Sequence, residues 1–248
     1  MDALTKKYAR WFTVAYEDNH IIIVNKKAGI LVQGDQTGDT PLADRVKEYI
    51  REKYDKPGNV FCGVIHRLDR PVSGLVVLAK TSKGLERMNK LFRNRHINKT
   101  YWAIVKKKPP YAEGKLIHWL KKDPSRNVTT AYEEEVPGSQ KAELKYTLMG
   151  KLNDHFLLEV NPITGRPHQI RVQLATIGCP IRGDIKYGFS KPNQDASINL
   201  HAKHLDFIHP VKKEPVKVNG GVPNTEFWEQ FLTLEKTQVK DKNLKHLY

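Results

Sequence analysis

The 248-residue chain reads as an α+β protein, and three observations predict that class. Short β-branched runs bounded by turn residues recur along it, as in Ile21-Ile22-Ile23-Val24 and Leu75-Val76-Val77-Leu78, the signature of buried strands. Between such runs lie stretches with apolar residues at helical spacing and capping signals at their ends. No repeat and no Pro-, Gly- or Ser-rich linker interrupts the series. One domain is therefore expected over residues 14–234, with an extension at 1–13 and a lysine-rich tail at 235–248 expected to be disordered.

Taken in order, His20 to Asn25 forms the first confident strand, Lys26-Lys27-Ala28-Gly29 turns the chain, and Ile30-Leu31-Val32 is expected to continue it. A helix follows with Thr40 as N-cap, Pro41 at its first position and Leu42, Val46, Tyr49 and Ile50 as its apolar stripe. Gly63-Val64-Ile65 and Leu75 to Ala79 are two buried strands. Ser82 is expected to cap a second helix, with Leu85, Met88, Leu91 and Phe92 inward. Its other face and exit carry Lys83, Arg87, Lys90, Arg93, Arg95 and Lys99, which reads equally as a solvated surface or as an RNA contact.

Thr100 to Val105 is the next strand, Tyr111 to Gln140 reads as short strands and long loops, and regular strands resume at Ala142–Met149 and His155–Val160. Pro167 suits the first turn of a third helix lined by Ile170, Leu174 and Ile177 and stopped by Gly178. A late strand spans Asn199 to His209, and Asn224 is placed to cap a last helix.

The charge narrows the function. Lys and Arg number 42 against 27 Asp and Glu, giving +15 and a pI near 9.6. Such a field attracts polyanions. No basic amphipathic helix with a bulky apolar face and no membrane-length apolar run is apparent, so nucleic acid is preferred to a membrane. Met1 to Arg10 lacks the apolar centre of a signal peptide, and Cys62 and Cys179 form no CxxC pair, which reads as a cytoplasmic protein with reduced thiols.

Chemistry is expected at His66-Arg67-Leu68-Asp69-Arg70-Pro71-Val72-Ser73-Gly74, between the two buried strands. Pro71 stiffens the segment and Gly74 can relax the return. Asp69 is a candidate nucleophile if a cation such as Arg171 holds it ionised, and a structural salt bridge is the competing reading. In Tyr101-Trp102, one aromatic must leave the core, and a pocket-facing Tyr101 could stack on a flipped base. A metal site using His201 and His204 with His66, His168 or His209 lacks the usual spacing. Neither GxxxxGK[ST] nor GxGxxG occurs, so no nucleotide cofactor is expected.

Taken together, these motifs resemble the RluA-type pseudouridine synthases. His66-Arg67-Leu68-Asp69-Arg70 with Ser73-Gly74-Leu75 is similar to their catalytic motif, and Val24-Asn25-Lys26 with Ala28-Gly29 to their first. Lys99-Thr100-Tyr101 and Thr164-Gly165-Arg166-Pro167-His168-Gln169-Ile170-Arg171-Val172, followed by Gly183-Asp184 and Tyr187-Gly188, resemble the later ones.

The resemblance implies a mixed, mostly antiparallel central sheet flanked by helices and loops. It also implies isomerisation of uridine in rRNA or tRNA without a cofactor or metal, with Asp69, Tyr101 and Arg171 catalytic. Arg67 would fill the gap left by a flipped uridine, and His66, Arg70, Arg166, His168 and Gln169 join it as expected substrate-binding residues. Pro71-Val72, Lys27, Gln173 and Cys179 depart from common family residues. The first motif begins almost at the chain start, so no S4 domain is expected, and the protein is expected to be a monomer. The alternative is a non-catalytic RNA-binding protein that keeps the fold.

Overall fold

The structure, a computed structural model, describes residues 2–235. The expected tail beyond Glu235 lies outside the described residues. The described residues form two compact units, 2–99 with His201–Gly221, and Thr100–Leu200 with 222–235. In chain order the elements are α1 (Ala3–Tyr8), β1 (Phe12–Glu17), β2 (Ile21–Lys26), α2 (Leu42–Lys53), β3 (Gly63–Val64), β4 (Ser73–Ala79), α3 (Ser82–Arg93) and β5 (Ile97–Val105). They continue with β6 (Glu113–Asp123), β7 (Val128–Tyr132), β8 (Gln140–Leu152), β9 (His155–Pro162), α4 (Gln169–Thr176), β10 (Leu200–Ile208), β11 (Pro215–Asn219) and α5 (Glu226–Gln230).

In the first unit the strand order is β1-β2-β4-β10, with β11 on β10 and β3 on β4. The sheet is mixed, because β4 and β10 run parallel while the β1·β2, β2·β4, β3·β4 and β10·β11 pairs are antiparallel. Alternate residues Ile21 and Ile23, Leu75 and Val77, Leu205 and Phe207, and Val216 and Val218 join Met88 of α3 in one core. That is the period-two face of a sheet closed by an amphipathic helix. β4 is buried along its whole length, as expected of a strand covered on both faces. Gly74 pairs with Ala202 in register and has φ +117°, where a Cβ would lie 2.4 Å from the Ala202 backbone. Only glycine allows that approach.

The second unit is antiparallel throughout its order β5-β9-β8-β6-β7. Trp102, Ile104, Leu157, Trp228 and Phe231 form its main core. Six successive residues of α4, Gln169 to Leu174, are buried, so this helix has no solvent face along that run.

Several local expectations are corrected. Ile30-Leu31-Val32 is not a strand; the Leu31 and Val32 carbonyls instead accept the first amides of α2, Leu42 N at 2.7 Å and Ala43 N at 3.3 Å. These tertiary bonds replace the expected Thr40 cap, and Pro41 is the N-cap without a side-chain bond. Thr81 rather than Ser82 caps α3, accepting from Gly84 N. Thr225 rather than Asn224 caps α5. α4 starts after Pro167, because His168 stands at the N-cap in the left-handed region. Tyr111 to Gln140 holds a regular hairpin, β6 with β7, turned by Asp123 accepting from the amides of Ser125 and Arg126. β1 and β11 were not anticipated, since each is short and only partly buried.

Candidate active site

Asp69 lies in the first unit, on the loop joining β3 to β4. Val64, just before the loop, pairs with Leu78 of β4, and the return of the loop at Ser73 and Gly74 is held by His201 and Ala202 of β10 and, at Gly74, by Lys26 of β2. Val72 N donates to the Asp69 carbonyl at 3.0 Å and closes a turn. A second turn meets it: Gly29 N donates to the Arg70 carbonyl at 2.8 Å, and Arg70 Nε returns a bond to the Gly29 carbonyl at 3.1 Å. Arg70 Nη2 also pairs with Asp39 at 2.6 Å, so its guanidinium braces the loop. Gly29 can hold this position because its φ is +85°.

Lys26 fastens the two turns together. Its side chain is only 1% exposed, and Nζ donates to the carbonyls of Ile30 at 2.9 Å, Lys27 at 3.0 Å and Arg70 at 3.4 Å. Burial pulls its amine down to about 7; the Asp69 carboxylate opposes that shift and the Arg70 charge adds to it. Asp69 is thus within electrostatic reach of a buried amine held by backbone oxygens from both turns.

His66 sits three positions before Asp69. Its ring stacks on Phe92 of α3 at 4.7 Å and its Nε2 accepts from Val77 N at 3.0 Å. Burial, followed by the nearby Lys99 charge, pushes it down to about 3, so it is neutral and acts as an acceptor. Arg67 is exposed on the same loop. Behind the loop, Ser73 Oγ is 2.8 Å from His201 Nδ1, and His201 Nε2 faces the Gly220 carbonyl at 3.4 Å. Burial lowers His201 to about 3. A neutral His201 then donates from Nε2 and accepts the Ser73 hydroxyl at Nδ1.

Tyr101 and Arg171 belong to the second unit. Tyr101 pairs with Val160 across β5·β9 and is half-buried. Its neighbour Trp102 is 1% exposed and packed in the core. Strand alternation therefore gives the core to the tryptophan and turns the tyrosine to the other face. Arg171 of α4 is buried and binds Asp184 in a two-point fork, Nε to Oδ2 at 2.7 Å and Nη2 to Oδ1 at 2.9 Å. Its guanidinium also lies 5.0 Å from the Tyr187 ring centre. The Tyr187 hydroxyl accepts from Thr129 N at 2.9 Å and meets His168 Nδ1 at 2.6 Å. Gln169 accepts from Thr164 Oγ1 and Arg166 N and donates to the Glu143 carbonyl, and Arg166 Nε donates to the Lys141 carbonyl. Arg166, His168 and Gln169 thus brace the segment entering α4.

The comparisons identify the family. A family model described as RNA pseudouridylate synthase matches residues 20–176. The chain belongs to that family. Ribosomal large subunit pseudouridine synthase D of Zymomonas mobilis subsp. mobilis is 31% identical over 220 residues, covering 85% of this chain and 69% of that protein. tRNA pseudouridine synthase C of Vibrio cholerae serotype O1 is 28% identical over 238 residues, covering 89% of this chain and 94% of that protein. Human RNA pseudouridylate synthase domain containing 4 shares the fold, with a TM-score of 0.74 at 23% identity over 94% of this chain and 95% of that one. The protein is an RNA pseudouridine synthase of the RluA type, an isomerase.

Two groups in this synthase escaped assignment from sequence. Lys26 ends a strand and reads as part of the turn Lys26-Lys27-Ala28-Gly29, which gives no sign that its amine is buried. Asp184 follows a glycine after α4 and reads as a turn residue. Its separation from Arg171 by a helix end and a loop hides the pairing. Among the described residues, no group of three or more His, Cys, Asp or Glu is placed to hold a metal ion.

Proposed function

We propose that this protein isomerises uridine to pseudouridine in ribosomal or transfer RNA, with Asp69 as the nucleophile. The observation that carries the reading is the bracing of the Asp69 loop by Lys26, Gly29 and Arg70. A carboxylate on such a loop starts close to one geometry, and positioning of that kind is a large part of a catalytic advantage. Asp69 attacks the target nucleotide at C1′ or at C6 of the base. The C1′–N1 bond breaks, the uracil turns, and a C1′–C5 bond forms while C5 loses its proton and N1 gains one. Atoms balance, so the reaction consumes no co-substrate.

Tyr101 and Arg171 are the other two residues we assign to catalysis. Tyr101, half-buried beside a core tryptophan, is suited to stack on the uracil and take up the C5 proton. Arg171, held in the two-point fork with Asp184, is the cationic member of the set. Arg67, exposed on the Asp69 loop, is suited to fill the space a flipped base leaves. Extruding a base costs a few kcal/mol, least where it is unpaired, so the target is a loop or bulge uridine.

Asp69→Asn is nearly isosteric and is expected to abolish tritium release from RNA carrying 5-tritiated uridine, with melting temperature and RNA affinity close to wild type. Wild-type release rates in that variant would overturn the assignment. Free uracil as the product would overturn the reaction.

A further inference from the structure

α3 is amphipathic, with Met88 and Gly84 buried and Leu85, Leu91 and Phe92 partly so. Lys83, Arg87, Lys90 and Arg93 occupy the opposite stripe and are all exposed, at the spacing that places side chains on one helix face. The stripe contains a single carboxylate, Glu86. Among the described residues none of these four cations, nor Arg95, is ion-paired. α2 behaves differently: Arg45, Lys47 and Lys53 pair with Glu48, Asp44 and Glu17. Among the described residues the fold thus pairs three of the four cations of α2 and none of the four on α3.

The exit of α3 carries a second, independent signal. Arg95 N donates to the Phe92 carbonyl at 3.2 Å and His96 N to the Leu91 carbonyl at 2.9 Å. That is a Schellman termination, whose left-handed position is usually glycine. Here it is Arg95, at φ +59° and exposed. An arginine in this conformation is less favourable than glycine, and it adds a fifth exposed cation at the exit of the helix. The charge also leads somewhere. Lys99 is lowered by burial and by the Arg95 charge, Lys99 in turn acts on His66, and His66 stacks on Phe92 three residues before Asp69.

We propose that the outer face of α3, from Lys83 to the Arg95 turn, is the surface on which the phosphodiester backbone of the RNA docks beside the target uridine. The inference deepens the proposed function and rests on it for the nature of the polyanion. Unpaired cations at helical spacing suit a run of phosphates, and the stacking of His66, three residues before Asp69, on Phe92 of α3 puts this helix beside the Asp69 loop.

The test compares three full-length variants with wild type: K83Q/R87Q/K90Q/R93Q/R95Q, the single R95G, and K106Q/K107Q/K108Q/K121Q/K122Q, which removes the same charge from exposed lysines elsewhere. Binding of a fluorescein-labelled, uridine-containing stem–loop RNA is measured against salt, alongside tritium release and melting temperature. The α3 variant is expected to lose on the order of tenfold or more in affinity and to flatten the slope of log K against log salt by up to about 3.5, at roughly 0.7 per phosphate contact. R95G is expected to melt at or above the wild-type temperature while binding RNA more weakly, which a merely structural role for Arg95 would not produce.

Equal flattening in the α3 and control variants would overturn the proposal by reducing it to net charge. So would unchanged slopes in an active enzyme, or binding of phosphatidylserine vesicles through this face without RNA. Loss of slope in a wild-type background that releases no tritium would support the surface and count against the reaction.

Discussion

Lys26 and Arg171 are both buried cations, 1% and 5% exposed, and the fold accommodates them in opposite ways. Arg171 receives a carboxylate, Asp184, in two-point geometry. Lys26 receives three backbone carbonyls. A guanidinium stays charged across the accessible pH range, so an opposing charge is the effective compensation for its burial. An amine can instead shed its proton, and Lys26, drawn down to about 7, is close to doing so at neutral pH. The comparison separates a fixed ionic brace on α4 from a titratable clasp on the Asp69 loop.

The largest expected effect breaks the ionic brace. Arg171→Ala strands Asp184, itself 1% exposed, and should cost about 3–5 kcal/mol. For a chain of this size that lowers the melting temperature by about 10 °C, measurable by calorimetry, and an unchanged transition would contradict the pairing. Replacing both partners with apolar residues of similar volume should recover much of the loss.

Breaking the clasp should cost less stability and touch function more. Lys26→Met removes three donors but also the burden of a desolvated amine. A loss of about 1–3 kcal/mol is expected, with a fall in the rate of tritium release larger than that destabilisation accounts for under conditions where the variant is folded. Wild-type turnover in a folded Lys26→Met enzyme would show that the loop does not need it.

The finest distinction is one of pH. The folded value of Lys26, about 7, lies below its ordinary 10.5. Between those values the unfolded chain holds a proton that the folded chain does not, so stability rises with pH across that window. The slope is at most about 1.4 kcal/mol per pH unit. Below pH 7 both states are charged and the full penalty of burial is present. Denaturant titrations from neutral to alkaline pH should show this rise in wild type and lack it in Lys26→Met, while conservative changes at the Arg171–Asp184 pair leave the slope in place.

Much of the candidate site was legible in the sequence because it is local. The Asp69 loop announces itself as a stiff charged turn between two β-branched runs, and the structure has β3 and β4 there. The alternation of Tyr101 and Trp102 posed a choice without deciding it; the burial of Trp102 with Phe231 and Trp228 decides it. The β6–β7 hairpin was illegible because its strands carry mostly polar, half-exposed residues, which blur the period-two signal. Its turn chemistry at Asp123 was local and could have been read.

By itself the sequence determined the features set by near neighbours: strand runs, helix stripes, the turn at Gly29, and the motifs that identify an RNA pseudouridine synthase. Tertiary structure decided where buried charge finds its partner. Lys26 reaches Arg70 across 44 positions, the start of α2 is capped by Leu31 and Val32 rather than Thr40, and Arg171 closes on Asp184 past the end of its own helix. Burial makes an unmet polar group costly and so compels a partner. Which partner is within reach depends on chain packing, and no local pattern encodes that.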